Sequence, residues 1–284
     1  MRRARALAAA GVLALGGCTP SVDVGLRTSG PLAAGFEIEP GSALLGTVFP
    51  YGDEGLRVTL VVDGDMAEVF RGYVRQAADL GYPVTAPGWW PEGQWCSDDR
   101  EVWTSYVGED PAFEVECSAS GSSIGERNGP PYWSMSLRGL AQPDGHGYLE
   151  ISGGTYSGAL PDRPPVEDGP VAPRTDTAVV GRDLAVYEDD PLHVVEGSEL
   201  LFDPLPSTCA TGGWVATLRV TGELLPVMRG YAEQIDAMRA FRPAELVGDG
   251  ETAYVGAHAA GGGDLGVVGV AGDPSYVLIS RCND

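Results

Sequence analysis

The segment Gly121-Ser122-Ser123-Ile124-Gly125 has the G-x-S-x-G form of a serine hydrolase, in which the central serine sits on a strained turn from a strand into a helix. Three histidines, His146, His193 and His258, are present to act as its base. The chain then runs through Asn128, Gly129, Pro130 and Pro131, so the helix that this chemistry needs cannot begin there. A hydrolase using Ser123 stands as the alternative reading, and no catalytic residue is assigned. Gly261-Gly262-Gly263-Asp264-Leu265-Gly266 spells G-x-G-x-x-G, but Val267 to Val270 after it read as a strand. A dinucleotide site needs a helix N-terminus at that place to meet the pyrophosphate, so a hairpin turn is the better account. Carboxylates cluster at Asp98-Asp99, Glu188-Asp189-Asp190 and Asp249 to Glu251. None has the spacing of a calcium loop, and no two histidines lie four apart as on a zinc-binding helix. These clusters read as solvated acidic loops, with no metal and no cofactor expected.

The N-terminus carries an address. Arg2, Arg3 and Arg5 precede an apolar run from Ala6 to Leu15, the basic and hydrophobic parts of a secretory signal. The run is too short to span a bilayer, which takes about 20 apolar residues. Leu15-Gly16-Gly17-Cys18 closes it, and on these residues the chain resembles bacterial lipoproteins. The resemblance implies cleavage after Gly17, a diacylglyceryl thioether on Cys18 and acylation of the new amino terminus, giving a stable membrane anchor. The net charge of -22 becomes -25 once Arg2, Arg3 and Arg5 leave with the signal. A surface so acidic repels nucleic acid. The chain has no Lys and is rich in Ala, Gly, Val, Pro and Asp, a composition of high-GC, actinomycete-type bacteria. Its hydrophobic content of 43% is ample for a packed core.

Beyond Cys18 lie Cys96, Cys117, Cys209 and Cys282. An even number outside the cytoplasm favours disulfides, and the pairing expected is Cys96 with Cys117 and Cys209 with Cys282, each within one half of the chain. Loop closure values these at about 3 and about 4 kcal/mol. No C-x-x-C spacing supports zinc instead. Five of the six tryptophans, Trp89, Trp90, Trp95, Trp103 and Trp133, fall in the first half with Tyr106 and Tyr132 among them. Such rings on a disulfide-held hairpin can stack on sugars or act as protein hot spots. Packing over the disulfide as a satellite core is the commoner fate of large aromatics. The five tryptophans are the candidate binding residues.

The elements that would position these residues come from an internal repeat. Gly41-Ser42-Ala43-Leu44-Leu45 returns as Gly197-Ser198-Glu199-Leu200-Leu201, and Val69-Phe70-Arg71-Gly72-Tyr73 returns as Val227-Met228-Arg229-Gly230-Tyr231. Tyr148 to Ser152 is answered by Tyr276 to Ser280. Met66, Val69, Phe70, Tyr73, Ala77 and Leu80 share a helical face, as do Leu224, Val227, Met228, Tyr231, Ile235 and Met238. Asp65 with Glu68 can cap the first helix and Gly81 can end it, while Pro226 is tolerated in the first turn of the second. Alternation at Leu56, Val58, Leu60 and Val62, and at Trp214, Ala216, Leu218 and Val220, predicts strands before each helix. Further strands are expected over Val102 to Val107, Trp133 to Leu137, Ala253 to His258 and Leu265 to Val270. Gly72 and Gly230, mid-helix where Gly costs about 1 kcal/mol relative to Ala, either allow close packing of one unit on its copy or are simply exposed. Arg71 and Arg229 are expected to pair with surface carboxylates, contributing little.

The fold expected is α+β: two tandem related units, each an antiparallel sheet with one packed helix. The divisions are a signal peptide at 1–17, a tether at 18–34, a first repeat with the Trp-rich insertion at 35–158, a Pro-rich linker at 159–175 and a second repeat at 176–284. The function expected is that of a lipid-anchored, extracytoplasmic, non-enzymatic binding or scaffolding module. Its partners would be the membrane, through the anchor, and an envelope glycan or a protein.

Overall fold

The computed structural model describes residues 26–51, 54–99, 101, 113–123, 132–156, 163–179, 192–206, 211–238, 245–258 and 264–283. The first unit comprises β1 (Ser42–Tyr51), β2 (Gly55–Asp63), α1 (Met66–Asp79), β3 (Cys96–Ser97), β4 (Val115–Ser122), β5 (Tyr132–Ala141) and β6 (His146–Tyr156), with the sheet order β1-β2-β6-β5-β4-β3. Strands β7 (Arg174–Ala178) and β8 (His193–Val195) then pair with each other. The second unit comprises β9 (Ser198–Leu200), β10 (Leu205–Pro206), β11 (Thr211–Val220), α2 (Leu224–Ala237), β12 (Glu245–Gly248), β13 (Thr252–His258), β14 (Asp264–Val270) and β15 (Ser275–Asn283). Its sheet order is β10-β11-β15-β14-β13-β12, with β9 also on β11. The chain is thus α+β, two antiparallel sheets in tandem with one helix each.

Each helix covers one face of its own sheet. Leu56, Val58, Leu60 and Val62 on β2 are fully buried against Met66, Phe70, Tyr73 and Ala77 of α1. Ala216 and Leu218 do the same beneath Val227, Met228, Tyr231 and Ile235 of α2. Burying one such side chain stabilises by about 1.5–3 kcal/mol, so the two stripes dominate each unit. The opposite faces of the sheets meet, Phe49, Phe113 and Leu140 packing with Leu205, Val215 and Leu278, and the helices lie outside.

Helix α1 ends as its sequence requires. The Asp65 carboxylate accepts from the backbone N–H of Ala67 (2.9 Å) and Glu68 (3.2 Å). At the other end Gly81, at φ +88°, lets Tyr82 N–H reach Ala77 O (2.8 Å) and its own N–H reach Ala78 O (3.1 Å), the paired closure that left-handed glycine permits. Leu80 leaves the buried stripe and is 37% exposed, because it follows the last helical turn and covers Gly35 instead. Helix α2 begins at Glu223 with no side-chain cap, and Pro226 sits in its first turn.

A set of polar contacts recurs in both units. The Tyr73 hydroxyl accepts from Glu39 N–H (3.0 Å) and meets Ser42 Oγ (2.9 Å), while Gln76 bonds Glu37 through both its N–H and its carbonyl (2.9 and 3.1 Å). In the second unit the Tyr231 hydroxyl accepts from Val195 N–H (3.4 Å) and meets Ser198 Oγ (3.1 Å), and Gln234 bonds His193 in the same two ways (2.9 and 3.1 Å). The helix therefore clasps the chain just before the sheet's first strand. This is what Gly72 and Gly230 serve. A Cβ on Gly72 would lie 2.6 Å from Glu39 Cδ, and one on Gly230 would lie 2.4 Å from Ala172 O and 2.8 Å from Val195 Cγ1. Both glycines are buried against their own unit's leading segment, so neither expected role holds: they are not exposed, and what they approach is not the other copy.

The arginines beside them differ from expectation too. Arg71 Nε donates to Ala67 O (3.0 Å), and the Arg229 guanidinium donates to Pro170 O (3.1 Å) and Glu167 O (2.7 Å). Backbone carbonyls, fixed and close, take the place of mobile surface carboxylates. With the Val166 to Leu246 and Gly248 to Pro164 bonds and Ala172 N–H on Pro226 O, these contacts hold residues 164–172 on the second unit. Residues 26–34 lie similarly on the first, through the Arg27–Leu44 bridge and Leu32, Ala33 and Ala34 against its core.

Candidate functional site

The Trp-rich insertion is anchored along the outer edge of β4. Cys96 and Cys117 stand directly opposite each other on β3 and β4 and form a disulfide, as the sequence led us to expect. Thr85 and Ser120 exchange two backbone hydrogen bonds of 2.9 Å, and Ser118 N–H donates to Trp95 O (3.0 Å). Between these ties, Trp90 N–H bonds Pro87 O (2.9 Å) and the Gln94 amide bonds Cys96 O (2.9 Å). The tryptophans then divide. Trp90 is buried, and Trp95 and Trp133 pack partly buried on the first core, Trp133 edge-on to Tyr82 at 5.9 Å. Trp89 is 65% exposed, the most exposed of the large apolar side chains among the described residues. Cys18, Trp103, Cys209, the Cys282 side chain, the expected strand over Val102 to Val107 and the acidic cluster at Glu188 to Asp190 lie outside the described residues.

Ser123 closes the end of the β4–β5 ladder. Its N–H donates to Trp133 O (2.9 Å) and its Oγ accepts from Trp133 N–H (2.8 Å), with the residue 9% exposed. The oxygen that would attack a substrate is thus engaged by backbone on a strand end. His146 lies 3.4 Å from the Asp63 carboxylate at the other end of the sheet's central strands, and the His193 backbone is held by Gln234. Of the acidic clusters, Asp249 turns its carboxylate onto the N–H groups of Thr252 (2.9 Å) and Glu251 (3.0 Å), which hold it below the usual carboxylate range. Asp99 likewise accepts from Glu101 N–H (3.1 Å). The G-x-G-x-x-G segment leads into β14, which pairs with β13 from Asp264 opposite His258 onward, the hairpin arrangement expected. Among the described residues no three His, Cys, Asp or Glu side chains converge to hold a metal.

The face of the first sheet that turns away from α1 is unexpectedly polar. Cys117, Ala119, Met135, Leu137, Leu149 and Ile151 point into the helix-side core, so the alternate residues line the other face. Ser120, Ser136, Ser152 and Arg57 stand abreast across β4, β5, β6 and β2, and Ser118, Arg138, Glu150 and Thr59 form the next row. Arg57 binds the Glu150 carboxylate through Nε and Nη2 at 2.7 Å, and Arg138 pairs with Glu116 at 3.3 Å. All four are buried, Glu116 completely. Burial draws the Arg138 guanidinium below its ordinary value, while Glu116 and Glu150 act to keep it charged. Beyond these charges the rows open into a cavity of about 400 Å³ lined by serines and Tyr51. Tyr51 meets Tyr156 edge-on at 6.1 Å, and Ser134 Oγ donates to the Tyr156 hydroxyl (3.1 Å).

The second unit keeps Thr217 and Ser280 at the places of Thr59 and Ser152 but carries no charge at the places of the four ionised residues. By strand register, Val215 replaces Arg57, Leu278 replaces Glu150, Val268 replaces Arg138 and Thr252 replaces Glu116. The sequence carried the signal, a two-residue polar alternation through Glu116, Ser118, Ser120 and Ser122 and through Ser134, Ser136 and Arg138, but only register aligns it across strands.

No family model and no curated protein matches the chain. Solved structures that match include a thioesterase candidate from Novosphingobium aromaticivorans, 10% identical over 86% of this chain and 96% of that one, with a TM-score of 0.16. An acyl-CoA thioesterase II from Mycobacterium marinum is 13% identical over 80% of this chain and 93% of that one, at 0.14. At such scores neither superposition bears on fold or chemistry. No described helix is long and apolar enough to cross a membrane.

Proposed function

We propose that the chain is an extracytoplasmic lipoprotein, anchored through Cys18, that works as a non-enzymatic binding module. The observation that carries the binding role is the division of the tryptophans: Trp90 is buried and Trp95 and Trp133 are partly buried, while Trp89 stands 65% exposed on a loop tied down by a disulfide and backbone bonds. An exposed indole on a pre-ordered loop loses little conformational freedom on binding, which is how aromatic hot spots act. The hydrolase reading is disfavoured because Ser123 Oγ is held by Trp133 N–H and Gly129, Pro130 and Pro131 follow in the sequence where a helix would have to start. Capture from envelope extract by the lipidated protein, compared with its Trp89→Ala variant, tests the proposal. A component retained by the first and lost by the second supports it; identical capture by both, or labelling of Ser123 by a fluorophosphonate, contradicts it.

A further inference from the structure

We propose that the hydroxyl-lined cavity on the inner face of the first sheet binds an uncharged, hydroxyl-rich ligand, a neutral sugar. This rests on the binding-module reading and names the ligand's chemical class, at a place distinct from Trp89.

The argument starts from the comparison of the two units. A buried, charge-balanced set such as Arg57, Glu150, Arg138 and Glu116 adds little to stability over apolar residues of similar size. The chain itself makes the point, since the same positions of the second sheet hold Val215, Leu278, Val268 and Thr252 within a sheet of the same strand order. The helix-side face and the clasp are alike in both units, Tyr73 and Tyr231, Gln76 and Gln234. The fold therefore does not require the charges, and in the first unit they stand beside the cavity. Arg57 stands abreast of Ser152, and Ser152 of Ser136, so the ion pair forms the closed end of the serine rows.

The lining then sets the ligand. Ser120, Ser136 and Ser152 in one row, with Ser122 and Ser134 in the next, offer hydroxyls that both donate and accept. Hydroxyls of Ser120 and Ser136 make no hydrogen bond to another described side chain. Tyr51, 38% exposed and steadied by Tyr156, adds an aromatic surface at the cavity. Among the described residues no carboxylate or cationic side chain lines the space, and the nearby charges are turned onto one another. An aromatic face with converging hydroxyls and no net charge matches the alternating C–H and O–H surface of a neutral sugar. About 400 Å³ is room for one or two sugar rings.

The test uses the full chain in detergent, with maltotriose and chitotriose as neutral probes and a triuronate as the charged one, read by ligand-observed NMR and calorimetry. We expect one neutral probe to bind and the triuronate not to. A Ser120→Ala/Ser136→Ala variant with unchanged circular dichroism should bind about tenfold more weakly, and Tyr51→Ala at least as weakly. No binding of either neutral probe at about 10 mM, equal binding of the triuronate, or an affinity unaltered in the serine variant would each overturn the inference. Because capture through Trp89 is read separately, its persistence alongside any of these results leaves the binding-module reading standing and removes only the cavity.

Discussion

Replacing the two helix glycines by alanine should move stability in different ways. On propensity alone, each change in a helix interior gains about 1 kcal/mol. At Gly230 the added Cβ would lie 2.4 Å from Ala172 O and 2.8 Å from Val195 Cγ1. That carbonyl belongs to a segment pinned by Ala172 N–H on Pro226 O and by Arg229 on Pro170 O, so relief requires the backbone to shift. Overpacking of this kind costs about 1–3 kcal/mol, which outweighs the propensity gain. Gly230→Ala should therefore lose up to about 2 kcal/mol, a fall of up to roughly 8 °C in Tm for a chain of this size. At Gly72 the atoms in the way are Glu39 Cδ and Oε2, at 2.6 and 2.8 Å. A carboxylate tip can swing aside at the cost of its bond from Gln76 (2.7 Å). The two effects nearly cancel, leaving Gly72→Ala within about 0.5 kcal/mol of the parent. Thermal melts of both single variants by circular dichroism decide the matter. A rise in Tm for Gly230→Ala would refute the claim that α2 holds the 164–172 segment by close approach.

Three further predictions concern the clasp, the cap and the buried charges. Burial raises the Tyr73 and Tyr231 hydroxyls above their ordinary 10.0, so their contribution is intact below about pH 10 and is lost as pH climbs through the raised folded values; Tyr73→Phe and Tyr231→Phe should each flatten that alkaline loss in denaturant titrations between about pH 9 and 11, and unchanged profiles would count against it. Asp65→Ala should cost about 1 kcal/mol in urea unfolding through the lost cap, whereas Glu223→Ala, with no cap bond to lose, should be nearly silent. Glu150→Leu alone should cost about 3–5 kcal/mol by removing the carboxylate that the buried Arg57 binds, while Arg57→Val with Glu150→Leu should recover most of that; a double variant as unstable as the single would contradict the balance assigned to the pair.

Much of the scaffold was legible in the residue order. Apolar spacing located α1 and α2, alternation located β2 and β11, and Asp65 and Gly81 marked the ends of α1 because each signal is local. Leu80 fell outside its stripe since the closure at Gly81 ends the helix before it. The clasp was half visible: Gly72-Tyr73 and Gly230-Tyr231 repeat, but Gln76 and Gln234 gain meaning only when Glu37 and His193 are brought some forty residues back to them. Spacing alone points Arg229 to a surface carboxylate, since nothing in it reveals that Pro170 and Glu167 present carbonyls to the guanidinium. The polar rows of the first sheet were hidden for a similar reason. Ser120, Ser136, Ser152 and Arg57 are distant in sequence and become neighbours through the pairing of four strands.

The anchored, extracytoplasmic setting is tested most directly by mass spectrometry of the protein taken from the membranes of its own host. The account predicts a mature chain that starts at Cys18, bears the mass of a diacylglyceryl group with an amide-linked acyl chain, and keeps Cys96 joined to Cys117. A chain beginning at Met1, or one cut elsewhere with an unmodified Cys18 and free thiols at Cys96 and Cys117, would contradict it.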